Sequence, residues 1–343
     1  MIFDPFSRLY GALLEARARL YAKGRLPTRA LPAPTVSVGN VTMGGTGKTP
    51  LVEWLARRFR FDGRRPAILS RGYGRRSSGV VVVSEGDGPL VDPERGGDEP
   101  VELARKLPGV VIVAAESRAE GADAAARLGA DLFLLDDGYQ HLAVRRDVNL
   151  LLLDARDPFG GAELPPRGRL REPLTALARA DAFLFTRVDR AEPPAPARRT
   201  LAAVRPDAPV FTARIRADGI RDEGGSPVPV SALQSRRTLA VCGIAGPAGF
   251  ASTLAELDLL PEETIAFRDH QRYGARELER IRRAAEASGA SWIVTTEKDA
   301  VKLWGRLPLP VVAVRLSVDI VEPGFFPFLV SRVAPARSGY RTG

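Results

Sequence analysis

The chain has 343 residues, 45% of them hydrophobic, 27% charged and 7% aromatic, with a formal net charge of +9. That length accommodates two ordinary domains with separate cores, and the composition is that of a soluble globular protein. It excludes a membrane-spanning helix, because no run of about 18 apolar residues occurs, and an internal disulfide framework, because Cys242 is the single cysteine. The N-terminus lacks the basic start, apolar block and cleavage site of a signal peptide, so a reducing cytoplasm is expected. Positive charge carried mostly by arginine points to an anionic partner, although a base-composition bias of the genome explains it equally well. No nucleic-acid-binding module is visible and aromatics are too sparse for a stacking platform, so no nucleic-acid partner is expected.

The opening "MIFDPFSRLYGALLEARARLYAKGRL" (1–26) reads as a helix from about Pro5. Phe6, Leu9, Tyr10, Leu13, Leu14, Leu20 and Tyr21 recur at steps of three and four, giving one apolar stripe. Arg8, Arg17, Arg19, Lys23 and Arg25 take much of the remainder. Such an amphipathic helix either lies on an anionic membrane surface or docks its stripe on the protein's own core.

Beyond "LPTRALPAP" strand-like runs follow at 35–39, 66–70, 80–83, 109–114, 131–137, 148–154 and 181–186, with helical stretches at 48–61, 98–107, 117–128 and 172–179. Near-continuous apolar strands separated by helices predict an α/β fold with a mostly parallel sheet covered on both faces. Ligands collect at the carboxyl ends of such strands. Residues 216–233, "RADGIRDEGGSPVPVSAL", carry Gly, Pro and charge and read as a hinge or linker. A second, smaller α/β unit follows, with strands at 238–247, 263–267, 291–296 and 310–316 and helices near 248–257 and 274–288. The expected division is a surface helix (1–26), a nucleotide-binding domain (27–215), the linker (216–233) and a C-terminal domain (234–343) that flanks a cleft.

The stretch "GNVTMGGTGKTP" (39–50) lies between the first strand and the first interior helix, the context a phosphate-binding loop requires. Gly44, Gly45, Thr46 and Gly47 can close backbone N–H groups around phosphate oxygens at a helix N-terminus. Lys48 would reach the β- and γ-phosphates and Thr49 would ligate Mg²⁺. Thr42 stands where the usual pattern has its first glycine, which is tolerable if φ there is negative. The loop predicts a P-loop NTPase-like fold. Its metal needs a carboxylate at the end of another strand, and "DLFLLDDGYQH" (131–141) supplies Asp136 and Asp137.

Partition ATPases, switch GTPases and small-molecule kinases share this loop. Partition ATPases place a lysine where this chain has Met43. A switch GTPase reads guanine through [NT]-K-x-D, and "FTRVD" approximates it with Thr186, Arg187 and Asp189. A GTP-dependent, metallochaperone-like switch and a non-catalytic nucleotide-binding adaptor are therefore the rival readings. A kinase needs groups to orient an acceptor hydroxyl, and the chain has two histidines, His141 and His270. Asp269 beside His270 can fix its tautomer and raise its basicity. Asp98 in "RGGDEP" stands at a helix start, where a plain N-cap is an equal explanation. Arg167, Arg169 and Arg171 of "LPPRGRLREP" form a candidate clamp for phosphate charge, with a solvated turn as the alternative.

In this order, "GNVTMGGTGKTP", "SRGYGR" (70–75), "GGDEP", "DDGYQH", "LPPRGRLREP", "FRDHQRY" and "TTEKDAVK" (295–302) resemble the motifs of the bacterial tetraacyldisaccharide 4′-kinase family. The resemblance runs from the first helix to about residue 302, and Thr42 is a habit of that family. It implies ATP, Mg²⁺ and transfer of the γ-phosphoryl group to the 4′-hydroxyl of an acylated glucosamine disaccharide 1-phosphate, a step of lipid A biosynthesis. It further implies a peripheral enzyme on the cytoplasmic face of the inner membrane, with no obligate protein partner. On these motifs Lys48 and Thr49 bind nucleotide phosphates and metal, and Asp136, Asp137 and Gln140 serve the metal site. Arg71 of "SRGYGR" joins the clamp. Asp98 acts on the acceptor, with His270 and Asp269 assisting from the other domain once the hinge closes. Tyr139 departs from the phenylalanine common there, without consequence for the chemistry.

Overall fold

The computed structural model describes residues 5–333, with side chains from Ser7 onward, so the Phe6 side chain and the tail 334–343 lie outside the described residues. In the first half α1 (Pro5–Ala22) precedes β1 (Thr35–Asn40), α2 (Lys48–Phe61), β2 (Pro66–Ser70), β3 (Val81–Ser84), α3 (Pro93–Gly96), α4 (Asp98–Lys106) and β4 (Val111–Ala114). Then come α5 (Arg118–Arg127), β5 (Leu132–Asp136), β6 (Val148–Asp154), a 3₁₀ turn (Leu174–Arg179), β7 (Ala182–Thr186) and α6 (Ala195–Val204). The second half holds β8 (Val210–Arg221), β9 (Pro227–Val228), α7 (Val230–Gln234), β10 (Thr238–Cys242), α8 (Pro247–Ala255) and β11 (Glu263–Ala266). It ends with α9 (Ala275–Ser288), β12 (Trp292–Thr296), α10 (Glu297–Leu303), β13 (Val311–Ile320) and α11 (Phe325–Val333).

All 13 strands belong to one sheet, ordered β11-β10-β12-β13-β8-β7-β6-β1-β5-β2-β4-β3, with β9 beside β8. Side chains alternate across a strand, and here both faces are covered. Ile68, Leu134, Leu150, Leu152 and Leu184 pack under α2, α4 and α11. Their neighbours Leu151, Leu153, Phe183 and Phe185 pack under α6 and the 3₁₀ turn, while Leu69, Phe133 and Leu135 meet α5. The second lobe repeats this arrangement, with Leu239, Val241 and Ile293 against α9 and Ala240, Cys242 and Val294 against α8. Burial on both sides is why the sequence shows continuous apolar runs rather than alternation.

The junction of the lobes decides where the site lies. The first part of β8 is parallel to β7, pairing Phe183 with Val210 through Thr186 with Ala213. Its remainder runs past that sheet and pairs antiparallel with β13, from Ala213↔Ile320 to Arg221↔Ala313. Strand β12 joins the far end of this ribbon, pairing Thr296 with Val314. Because β13 runs back toward the first lobe, the carboxyl ends of the second lobe's parallel strands face the carboxyl ends of the first lobe's. The antiparallel ribbon thus turns two ligand-binding edges toward one cleft.

Two differences from the sequence expectations follow. The interval 216–233, expected as a linker, contains the end of β8, β9 and α7. Its Gly and Pro serve a hairpin and a register shift opposite Arg315, where Val314 pairs with Ile220 and Leu316 with Ala217. The last described helix also does not belong to the second lobe, because α11 returns to the first. Phe325 packs at a tilt on Trp54 at 5.9 Å and Phe326 on Phe59 at 4.9 Å between ring centroids. Full burial of a side chain such as Phe325 contributes about 1.5–3 kcal/mol.

Candidate active site

The loop leaves β1 at Asn40 and enters α2 at Lys48, with Gly47 as N-cap at φ +84°. A Cβ at Gly47 would strike Ile215 Cδ1 of β8, so glycine is required there by both conformation and space. Thr42 is buried, is not among the positive-φ residues, and bridges to Leu170. The amide of Met43 donates to the Arg169 carbonyl at 2.6 Å, and that of Arg171 to the Val41 carbonyl at 2.7 Å. The substituted residue therefore holds a pairing that clamps the arginine loop to the phosphate loop. Buried Asn40, which the sequence reading missed, donates to the Thr42 carbonyl at 2.7 Å and accepts from Lys48 Nζ at 3.1 Å. Thr46 Oγ1 is buried without a partner among the described residues, and the Thr46 carbonyl accepts from Thr186 at 2.9 Å. Thr49 follows Lys48 in the first turn of α2.

Asp136 ends β5 beside β1, paired in register with Val38. Burial, followed by the like charges of Glu99 and Asp137, raises its carboxyl above the ordinary range. Its Oδ1 is buried and makes no hydrogen bond among the described residues. An orphaned, buried carboxylate oxygen beside a phosphate loop fits a divalent cation held partly by nucleotide phosphates, the usual arrangement for Mg²⁺. Asp137, at φ +51°, instead accepts from Arg171 Nη1 at 2.7 and 2.9 Å and lies 3.5 Å from Lys48 Nζ. Burial opposes its charge, but Lys48 and Arg171 outweigh burial and hold its carboxyl below the ordinary range. Gln140 donates its side-chain amide to the Asn40 carbonyl at 2.9 Å.

The three clamp arginines part company. Only Arg171 reaches the Lys48–Asp137 centre; Arg169 pairs with Asp157 at 2.7 Å and Arg167 lies 3.5 Å from Glu163. Arg71 is exposed just past β2. His141 is not at the phosphate loop's lysine; burial, then the charges of Arg118, Arg146, Arg17 and Arg71, pull its pKa down to about 4.

Asp98 opens α4. The preceding Gly97, at φ +93°, packs so closely on Gly72 that a Cβ would lie 2.8 Å from the Gly72 Cα. "SRGYGR" and "GGDEP" therefore meet backbone to backbone, which seats Asp98 at the cleft. From the other lobe His270 Nδ1 lies 3.6 Å from Asp98 Oδ2, its ring 4.6 Å from that of Tyr73. Lys302 Nζ lies 3.0 Å from the same Oδ2, and Arg272 donates to the Gly74 carbonyl at 2.8 Å. Burial alone would raise the Asp98 carboxyl, but His270 and then Lys302 draw it below the ordinary range. Asp269 departs from its expected geometry. It accepts the His270 backbone amide at 3.0 Å and Lys298 Nζ at 2.6 Å, and sits 4.0 Å from the imidazole. The carboxylate that faces His270 Nδ1 is Asp98.

The guanine-reading pattern is spent on structure. Arg187 pairs with Asp154 at 2.8 Å, and Asp189 accepts the Ile215 amide at 3.2 Å.

A mostly parallel sheet with a phosphate loop at the carboxyl end of its central strand, helices on both faces and a facing α/β lobe defines a P-loop NTPase-like α/β protein. The family model described as tetraacyldisaccharide-1-P 4′-kinase matches residues 1–334. The tetraacyldisaccharide 4′-kinase of Anaeromyxobacter dehalogenans (strain 2CP-1) is 46% identical over 300 residues, covering 86% of this chain and 78% of that one. That of Pelobacter propionicus is 42% identical over 326 residues, covering 93% and 88%. The crystal structure of LpxK from Aquifex aeolicus in complex with ATP superposes with a TM-score of 0.76 at 33% identity, covering 96% of this chain and 97% of that one. This chain belongs to the tetraacyldisaccharide 4′-kinase family, and the resemblance of its motifs is borne out.

Proposed function

We propose that this chain transfers the γ-phosphoryl group of ATP to the 4′-hydroxyl of an acylated glucosamine disaccharide 1-phosphate, with Mg²⁺, at the cytoplasmic face of the inner membrane. The observation that carries this reading is the convergence on one cleft of a phosphate loop, a buried carboxylate with a free oxygen, and Asp98 facing His270. The loop amides and Lys48 would bind the β- and γ-phosphates, Lys48 exchanging Asn40 and Asp137 for phosphate oxygens. Thr49, Asp136 and Asp137 would hold Mg²⁺, with Gln140 supporting the Asn40 backbone. The metal would neutralise charge on the transferring group. Arg171 would meet the same charge from the arginine loop, while Arg71, Arg167 and Arg169 would attract an anionic acceptor.

Asp98 would orient the acceptor hydroxyl and take its proton late. A carboxylate held below the ordinary range is a weak base, which suits a loose phosphoryl transfer in which positioning does most of the work. His270 would hold Asp98 in place, and Asp269 would fix the His270 loop through the backbone amide. Closure about the β8–β13 ribbon within 216–233 would bring the second lobe onto the first.

Helix α1 supports a peripheral seat. It docks through Gly11, buried against Leu164, and through half-buried Leu14. It leaves Leu9 (61%), Tyr10 (46%), Leu13 (60%) and Leu20 (37%) exposed beside its arginines. That exposed set on a basic helix fits insertion into an anionic interface. Among the described residues no helix is long and apolar enough to cross a membrane.

The test is incubation with γ-labelled ATP, MgCl₂ and acylated disaccharide 1-phosphate in detergent micelles. Label in the extracted lipid is expected. Label released only as inorganic phosphate, or transferred from GTP but not ATP, overturns the reading.

A further inference from the structure

Helix α10 carries the end of "TTEKDAVK", residues to which no role has yet been given. Thr296 caps the helix, accepting the Asp299 amide at 3.2 Å and donating to Asp299 Oδ2 at 2.9 Å. Asp299 has no exposed surface, and its Oδ2 also accepts the Gly243 amide at 2.7 Å, just past the carboxyl end of β10. A carboxylate so deeply buried needs a paired charge. That charge is Lys302, one turn along the helix, with Nζ 3.0 Å from Asp299 Oδ1.

The same ammonium lies 3.0 Å from Asp98 Oδ2 across the cleft and donates to the Gln271 carbonyl at 3.1 Å. It sits 5.3 Å from the centroid of the Tyr273 ring, with only 8% of its side chain exposed. Two of the ammonium's three donors are thus spent on Asp98 and Gln271, while Asp299 Oδ1, at ion-pair distance, is held by charge and makes no hydrogen bond among the described residues. A lysine needed only to neutralise Asp299 would have no reason to reach the other lobe. His270 and Lys302 both approach Oδ2 of Asp98, whereas Oδ1 has no hydrogen bond among the described residues. One positive charge shared between two carboxylates also leaves Asp98 less than fully neutralised, so it can still accept a proton.

We propose that Lys302, anchored by buried Asp299, is a positioning residue of the acceptor site, occupying Oδ2 of Asp98 so that Oδ1 is presented to the acceptor hydroxyl. The proposal rests on the reading of Asp98 given above. Because Lys302 belongs to the second lobe, Asp98 is aimed only when that lobe is seated on α4. The charged and titratable groups facing Asp98 are His270, Lys302 and Tyr273 from the second lobe, with Asp269, Lys298 and Asp299 behind them and Glu99 and Glu102 on its own helix.

The test compares Lys302→Met and Lys302→Arg with wild type in phosphoryl transfer to the acylated disaccharide 1-phosphate across pH. In Lys302→Met kcat falls about 10- to 100-fold with the ATP KM within about twofold, the split expected when orientation and not nucleotide binding is lost. The acid limb of its kcat/KM profile moves up by about one pH unit, because a cation beside Asp98 has been removed. Lys302→Arg keeps the charge and the wild-type limb. Since Lys302→Met leaves Asp299 buried and unpaired, Asp299→Asn/Lys302→Met serves as the folded counterpart, checked by melting, and shows the same shifted limb. An unmoved limb in both Met variants, an Arg variant as impaired as Met, or a tenfold rise in the ATP KM each overturns the proposal while leaving the kinase reading intact. A wild-type protein without transfer overturns both.

Discussion

The two lobes hold the site by different means. The first builds its half from backbone: β1 is buried at every position, its loop turns on Gly47, and the arginine loop is paired to it by amide–carbonyl bonds. The second builds its half from side chains delivered across the cleft, the Lys302 ammonium and the His270 ring to Asp98, Glu297 to Lys106, and Arg315 to Glu53 at 2.9 Å. A backbone cradle is fixed once the lobe folds, whereas charges that pair between lobes exist only in the closed arrangement. On the proposed function, the nucleotide half is preformed and the acceptor half conditional on the seating of the second lobe.

The largest expected effect breaks the preformed half. Lys48→Ala removes the cation aimed at the phosphates and lowers kcat by about 10³-fold, read by single-turnover transfer from labelled ATP, with the melting temperature little changed. Asp98→Asn breaks the conditional half. It keeps the shape and removes the proposed proton acceptor, so kcat falls about 10²- to 10³-fold, with ATP affinity by fluorescence titration unaltered.

The third variant strikes a buried ion-pair cluster that links the lobes through Glu297. Lys106 Nζ lies 3.3 Å from Glu102 and 2.8 Å from Glu297 and also pairs with Glu53, all nearly buried. Lys106→Met strands Glu102 and Glu297, Glu53 keeping Arg57 and Arg315, and costs about 3 kcal/mol in urea unfolding, whereas exposed Arg282→Ala on α9 costs less than about 0.5 kcal/mol.

Smaller effects sharpen the comparison at the edge of the first lobe. Leu9→Glu/Leu13→Glu lowers flotation with anionic vesicles about tenfold or more, and leaves transfer to a short-chain, water-soluble acceptor unchanged. The smallest concerns His141, whose pKa falls from 6.5 to about 4 on folding. The unfolded chain binds the proton first, so the stability from neutral His141 is complete above pH 6.5 and is lost as pH falls toward 4. Discounted for its partial exposure, that is about 1 kcal/mol, and His141→Gln should flatten the fall in unfolding free energy between pH 7 and 5 by that amount.

Much of the first lobe was legible because its signals are local. β2, β6 and α2 fall where apolar runs and the glycine loop put them, and the motif order alone pointed to the family. Asn40 was missed because nothing in a strand-ending Asn announces that it holds a lysine eight residues on. The long strand β8 was missed because Arg216, Asp218 and Arg221 interrupt its apolar pattern; past β7 it pairs with β13, exposing Arg216 and Asp218 while burying Ile215 and Ile220. The return of α11 and the contact of Lys302 with Asp98 span too much sequence for periodicity or spacing to report. Asp269 was paired with His270 because neighbours in sequence invite it, yet Lys298 occupies that carboxylate.

The measurement that most directly tests assembly of the acceptor site from both lobes is a double-mutant cycle on kcat with Asp98→Asn, His270→Gln and the double variant. If the imidazole acts through Asp98, the double variant is no slower than Asp98→Asn within about twofold, because one function has been lost once. Losses that multiply would mean that His270 works independently of Asp98 and that the two lobes do not build one acceptor site.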